Sequence, residues 1–401
     1  MTYHTADYVY PVTSEPIKNG IVAVDDNGRI AAVLNPSSPD FSISYEKVVI
    51  HTGVLIPGFI NTHCHLELSH LAGKSQTGKT LLPFLVDVVT MRDMPQEAID
   101  AAIAKWDAYM WNVGIQAVGD ICNKPDTATV KANSPIRYYS FVEMFDFLQP
   151  DRAQDSFEGY RATYDAQAND GGNMKSAVPH APYTVSDPLY GLINGLNDDN
   201  KTVSIHSEET PAELELFING SGPFQDFFKG FGANIDHFKA TGKSSIYHAM
   251  SRMNATNRTI FVHNTLTDKS GIEAAMKWGQ NGVYFATCPN ANLYIENRLP
   301  RYDVFIDAGA RVTVGTDSLT SNWQLSILEE LRTISKYQSY VPFDVLLKWA
   351  TINGAEALQF DKDMGSIEVG KKPGLLALQH LEGENPKDFR IGNDTEVRRI
   401  V

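Results

Sequence analysis

The segment Pro57-Gly58-Phe59-Ile60-Asn61-Thr62-His63-Cys64-His65 is an apolar run that ends in His-x-His. Side chains alternate along an extended strand, so His63 and His65 leave it on one side and Cys64 on the other. Two imidazoles aimed at a common point make half of a metal site, because neutral imidazole is the commonest protein ligand for zinc and iron. Three later apolar, β-branched runs also end in a candidate ligand: Thr202-Val203-Ser204-Ile205-His206, Thr259-Ile260-Phe261-Val262-His263 and Arg311-Val312-Thr313-Val314-Gly315-Thr316-Asp317. One histidine at a strand end is more often a hydrogen-bonded core residue than a ligand. The ordered set His-x-His, His, His, Asp carries more weight, since parallel barrels collect their reacting groups at the C-terminal ends of different strands.

Working outward from these ends, eight strand candidates fall at about 54–60, 115–120, 136–143, 176–180, 202–206, 259–263, 282–287 and 311–316, separated by helical stretches such as Leu81 to Arg92 and Glu97 to Met110. Eight strands alternating with helices predict an α/β chain folded as a (β/α)8 TIM-like barrel over residues 58–361. Residues 1–57 carry short β-type runs with turns such as Asp26-Asn27-Gly28, and the pattern returns over 362–401. The two chain ends are therefore expected to share one small β-sandwich subdomain. The stretch between His206 and His263 is longer than one strand–helix unit needs, and it holds Phe217, Phe224, Phe227, Phe228, Phe231 and Phe238. So many aromatics argue against disorder, leaving a lid over the site or extra outer packing.

A chain of 401 residues that is 43% hydrophobic and 20% charged can bury a full core in one large domain plus a small accessory one. Its formal net charge of -14 repels phosphate backbones and anionic lipid heads, so neither nucleic acid nor membrane is an expected partner. Met1 to Gly20 lacks a basic and apolar leader pattern, and Cys64, Cys122 and Cys288 lack paired metal spacing. Both features point to a cytoplasmic protein with reduced thiols. Gly73-Lys74-Ser75-Gln76-Thr77-Gly78-Lys79-Thr80 fits the phosphate-loop pattern letter for letter. That pattern holds phosphate only when it directly follows a buried strand and opens a helix, and here the His-x-His segment intervenes. It reads as a basic first loop rather than as a nucleotidase signature.

The residues quoted, together with Leu66-Glu67, His180-Ala181-Pro182-Tyr183-Thr184-Val185-Ser186, His206-Ser207-Glu208-Glu209 and Gly315-Thr316-Asp317-Ser318, resemble the amidohydrolase superfamily over nearly the whole chain. Within it they are most similar to the mononuclear deaminases of nucleosides and heterocyclic bases. Binuclear members bridge their metals with a modified lysine at the end of the fourth strand, where this chain has His180, with Lys175 near the strand's beginning. The resemblance therefore implies one divalent metal per chain, Zn²⁺ or Fe²⁺, on His63, His65, His206 and Asp317. It implies hydrolytic deamination of an aminated purine-type nucleoside, aminodeoxyfutalosine or another 5′-modified adenosine, by a metal-activated hydroxide attacking the amino-bearing ring carbon. The alternative within the same fold is a free base such as guanine, a cyclic amide or a chloro-heterocycle.

The implied roles follow the chemistry. Attack at an amidine carbon pushes charge onto the adjacent ring nitrogen, so Glu209 is the expected proton donor; Asp317 moves a proton from water to the leaving ammonia, and His263 hydrogen-bonds the developing oxygen. Glu67 and His180 are expected to contact the substrate, and Arg152 to meet a substrate carboxylate. Beyond the small-molecule substrate, a homodimer is the one assembly considered.

Overall fold

A computed structural model describes residues 1–38 and 47–401. It is an α/β fold of TIM-barrel type built on eight parallel strands, arranged as two half-sheets of four. The first half-sheet holds Phe59–Cys64, Ile115–Cys122, Arg137–Met144 and Met174–Pro179; the second holds Thr202–Ser207, Arg258–His263, Val283–Thr287 and Arg311–Val314. Nearly all of their residues are buried, as expected for parallel strands covered on both faces. The half-sheets meet at two seams. At one, the Thr316 and Asp317 amides donate to the His63 carbonyl at 2.9 and 3.0 Å, and Thr62 Oγ1 lies 2.8 Å from Thr313 Oγ1. At the other, the His206 amide donates to the His180 carbonyl at 2.9 Å and Ser176 Oγ to the Thr202 carbonyl at 2.6 Å.

Helices return the chain between strands, and their starts carry ordinary caps. Ser186 accepts from the Leu189 amide at the head of Asp187–Leu196, and Asp268 accepts from the Gly271 amide at the head of Lys269–Trp278. The helices expected at Leu81 to Arg92 and Glu97 to Met110 span Leu81–Met91 and Gln96–Asn112.

The first strand departs from expectation. Residues 54–60 are not one element: Val54–Ile56 pairs antiparallel with Leu376–Leu378 outside the barrel, and the barrel strand begins at Phe59. Pro57 has no amide to offer a ladder. The Gly58 amide donates to the Pro373 carbonyl at 3.0 Å, and a Cβ at Gly58 would lie 2.7 Å from that oxygen, so the crossing between sheets needs glycine.

Outside the barrel lie two small sheets. One has the order Ile30–Leu34, Ile21–Val24, Thr2–Thr5, Val48–Ile50; the other has Glu396–Arg399, Leu376–Gln379, Val54–Ile56, Tyr8–Val9, Ile17–Lys18, and so joins both chain ends. Val9, Val22, Val24, Leu55, Leu375 and Ala377 belong to one apolar cluster that draws on both sheets.

The phosphate-loop look-alike holds no anion cradle. Lys79 Nζ donates to Asp87 Oδ2 at 2.7 Å, Ser75 Oγ donates to the same oxygen at 2.8 Å, and the Leu81 amide that opens the following helix donates to Glu296 Oε1 at 2.8 Å. A lysine already paired and a helix start already covered by a carboxylate leave nothing for phosphate.

Candidate active site

The C-terminal ends of the strands bring His63, His65, His206, His263 and Asp317 to one point. His63 Nε2 and His65 Nε2 are 3.2 Å apart, and Asp317 Oδ1 lies 3.6 Å from the first and 3.3 Å from the second. Ligand atoms on a tetrahedral metal with bonds of ~2.0–2.1 Å stand about 3.4 Å apart. The ligand atoms of His63, His65 and His206 all fall within 4.8 Å of one another, as do those of His63, His263 and Asp317.

Protonation states suit a divalent cation as well. Burial lowers the imidazoles of His63, His206 and His263, and takes His65 to about 3, so each is neutral. Burial alone would raise Asp317, but its histidine neighbours His63, His65 and His263 outweigh it and hold the carboxyl well below its usual range. Neutral imidazole and ionised carboxylate are the forms that bind metal. The residues therefore fit one transition metal.

His206, Asp317 and His263 are each aimed by a neighbour. His206 Nδ1 donates to the His180 carbonyl at 2.8 Å, which turns Nε2 inward. Ser321 Oγ donates to Asp317 Oδ2 at 2.6 Å and leaves Oδ1 for the histidines. Asp317 itself sits at φ +56°, a left-handed conformation that costs a few kcal/mol at most and aims the carboxylate back over the first strand. His263 Nδ1 lies 2.8 Å from Asn292 Oδ1, an acceptor, so Nε2 is the bare nitrogen and faces Glu209 Oε1 at 3.7 Å.

Glu209 is 4% exposed and lines the cavity beside these groups. Burial, with the nearby carboxylates of Asp317 and Glu296, pushes its carboxyl well above the usual range. The shift favours the protonated carboxyl, the form that can give a proton. Lys175 is remote from this point; its Nζ donates to the Tyr164 and Gln167 carbonyls at 2.7 and 2.8 Å.

The remaining expected contacts separate. His180 lines the cavity, with Nδ1 2.7 Å from Thr184 Oγ1. Glu67 does not line it: its Oε1 accepts from Arg92 at 3.0 Å, and its Oε2 accepts the Asn123 and Lys124 amides at 2.9 and 3.0 Å. Arg152 is exposed in the turn Pro150–Arg152 and is likewise absent from the wall. Arg92, at the C-terminal end of helix Leu81–Met91, is the guanidinium that lines the cavity.

Glu143 was not anticipated either. It stands near the end of the third barrel strand, 3% exposed, with Oε1 3.4 Å from His206 Nδ1 and burial raising its carboxyl to about 8. An acidic residue in a strand that reads as uniformly buried was the available signal.

The cavity has a volume of about 120 Å³ and opens to solvent. Much of its lining is apolar: Leu81, Phe84 and Val88 of helix Leu81–Met91, Phe145 and Phe147 after the third barrel strand, and Phe227 and Phe231 of the insertion, Phe147 stacking on Phe231. The insertion after His206 contributes both to the cavity lining and to outer packing. Phe227 and Phe231 face the cavity, while Phe217, Phe224 and Phe228 are buried in a cluster with Leu82, Phe84 and Tyr183.

Known proteins place this arrangement. An adenosine deaminase of Helicobacter pylori is 28% identical over 328 residues, covering 80% of this chain and 78% of its own. A 5-methylthioadenosine/S-adenosylhomocysteine deaminase of Thermoanaerobacter pseudethanolicus is 26% identical over 369 residues, 88% of this chain and 79% of its own. Among solved structures, an aminofutalosine deaminase of Helicobacter pylori in complex with methylthio-coformycin superposes with a TM-score of 0.80 at 22% identity over 100% of both chains. An adenosine deaminase from Xanthomonas campestris with bound zinc superposes with a TM-score of 0.70 at 22% identity over 94% of this chain and 84% of that one. The profile of the amidohydrolase family matches residues 54–399, and the chain belongs to that family.

Proposed function

We propose that this enzyme is a hydrolytic deaminase of a 6-aminopurine nucleoside modified at the 5′ position, aminodeoxyfutalosine being the leading candidate, with one zinc or ferrous ion held by His63, His65, His206 and Asp317. The observation that carries the reading is the buried Glu209, its carboxyl raised by burial, beside His263 and the cluster of candidate ligands in a cavity whose lining is largely apolar. The relatives' activities on adenosine and its 5′-thio derivatives support the substrate class.

When bound, the metal lowers the pKa of a water toward neutrality and so supplies the nucleophile. The chain's own residues do the rest. Glu209 gives its proton to the ring nitrogen beside the amino-bearing carbon, so that negative charge does not build up there. Asp317, ionised and held at Oδ2 by Ser321, carries a proton from the attacking water to the amino nitrogen, which departs as ammonia. His263, fixed by Asn292 with its bare Nε2 turned into the site, would accept the hydroxyl proton of the new oxygen and so orient it. The ring C–NH2 bond is exchanged for C=O, with no oxidant or second substrate required. The apolar wall excludes water around these steps and provides area for a 5′ substituent. Three buried free thiols suit a reducing compartment, and we place the enzyme in the cytoplasm.

The test is ammonia release from adenosine, S-adenosylhomocysteine, aminodeoxyfutalosine, guanine and cytosine. A 5′-modified adenosine is expected to give the highest kcat/KM. Preference for a free base by an order of magnitude would overturn the nucleoside assignment.

A further inference from the structure

The strand that carries His206 ends at Ser207, and two adjacent glutamates follow. They are thrown to opposite sides: Glu209 into the cavity, Glu208 away from it, its Oε1 lying 3.5 Å from the Ile246 amide. The divergence depends on Glu208 adopting φ +51°, a left-handed conformation costing roughly 1–2 kcal/mol for a residue with a side chain. Something must hold it there.

The holding groups are on the page. The carboxylate of Glu213, fully buried in helix Pro211–Asn219, accepts the Glu208 amide on Oε1 and the Glu209 amide on Oε2, both at 3.0 Å. Ser245 Oγ donates to Oε1 as well. From the other side Thr265 Oγ1 reaches the Glu208 carbonyl at 3.0 Å and the Glu209 carbonyl at 2.7 Å, and the Leu266 amide donates to the Glu208 carbonyl at 3.2 Å. Both backbone donors and both backbone acceptors of the pair are thus taken by two side chains. Thr265 is two residues past His263, so the clamp ties the Glu209 loop to the strand end whose imidazole Glu209 faces. Neither Glu213 nor Thr265 lines the cavity.

We propose that Glu213 and Thr265 are positioning residues for the deamination, a two-sided backbone clamp that selects Glu209 rather than Glu208 as the acid and fixes its carboxyl against the substrate ring. The inference rests on Glu209 being the proton donor. Glu213→Gln turns one carboxylate oxygen into an amide donor that faces a backbone N–H and so breaks one arm of the clamp; Thr265→Val removes the other arm while keeping its shape. Both would be made in the full-length metal-loaded enzyme, alone and combined with Glu209→Gln, with metal per chain, melting temperature, KM and kcat measured on the best 6-aminopurine nucleoside.

Each single variant is expected to keep its metal and a KM within about threefold, and to lose about 10²-fold in kcat, the scale of an ångström's misplacement of a reacting group. On the residual rate of Glu209→Gln each is expected to add less than about threefold, because the clamp then has nothing left to aim. An unchanged kcat in Thr265→Val, a loss that repeats in full on Glu209→Gln, or loss of metal with either substitution would overturn the clamp. A Glu209→Gln enzyme with nearly full activity would instead overturn the assignment of Glu209. Should Glu213→Gln not fold, Thr265→Val decides alone.

Discussion

Glu209 and Asp317 are two carboxyls in one cavity pushed in opposite directions: burial raises the first, while the surrounding histidines hold the second well below its usual range. A pair pushed apart in this way divides the labour of acid and base. Removing only the transferable proton should separate chemistry from metal binding. Glu209→Gln is expected to retain one metal per chain and lose about 10²–10⁴-fold in turnover, whereas His206→Ala is expected to lose metal as well. Elemental analysis alongside ammonia release distinguishes the two, and a Glu209→Gln protein without metal would contradict the division. The residues that end strands were legible in the sequence, because a polar group closing an apolar run has few other reasons to be there. Arg92, Glu143 and Asn292 were not. Arg92 reaches the wall because Glu67 and helix Leu81–Met91 place it there, and Asn292 meets His263 across 29 residues through folding of the segment after Cys288. Arg152, chosen for its charge near a strand end, lies on an exposed turn instead. Proximity in sequence does not say which way a loop residue faces.

Strands and helices were the more readable scale, since period and length survive tertiary context, and the misreading at residues 54–60 shows the limit. An unbroken apolar run hides a change of sheet, and only Pro57-Gly58 marks it. Element packing also explains how the His-x-His end is braced. Asp120 of the second barrel strand accepts the Leu66 amide at 2.8 Å, and its other oxygen is paired with Lys131 Nζ from helix Ala128–Asn133, both side chains being buried. Lys131→Met should cost about 3–5 kcal/mol because it strands a charge in the interior, and denaturant unfolding would register it. A change under 1 kcal/mol would mean that Asp120 needs no partner. For the insertion the expectation is selective. Phe227→Ala or Phe231→Ala should weaken kcat/KM for nucleosides with bulky 5′ groups more than for adenosine, since these rings are the insertion's apolar contribution to the cavity lining. Equal losses on both substrates would point to a collapse of the wall rather than to lost contact.

Across the whole molecule the half-sheets meet through a few hydrogen bonds at each seam rather than through continuous ladders. The candidate ligands come from both half-sheets: His63 and His65 from the end of the first half-sheet's edge strand, Asp317 from just past the strand that faces it across one seam, and His206 from the second half-sheet's strand at the other seam. Asp317 is also bridged directly to Cys64. A cation held by all four side chains would therefore cross-link the halves, and binding that occurs only in the folded state stabilises it by RT ln(1 + [L]/Kd), about 4 kcal/mol at a thousandfold excess over Kd. Without it that link between the two half-sheets is missing. Chelation is accordingly expected to lower the melting temperature by several degrees, zinc to restore it, and His206→Ala to melt at one temperature with or without chelator. If the native protein unfolded identically in both conditions, the four side chains would not be acting as a link between the half-sheets, whatever they contributed to turnover.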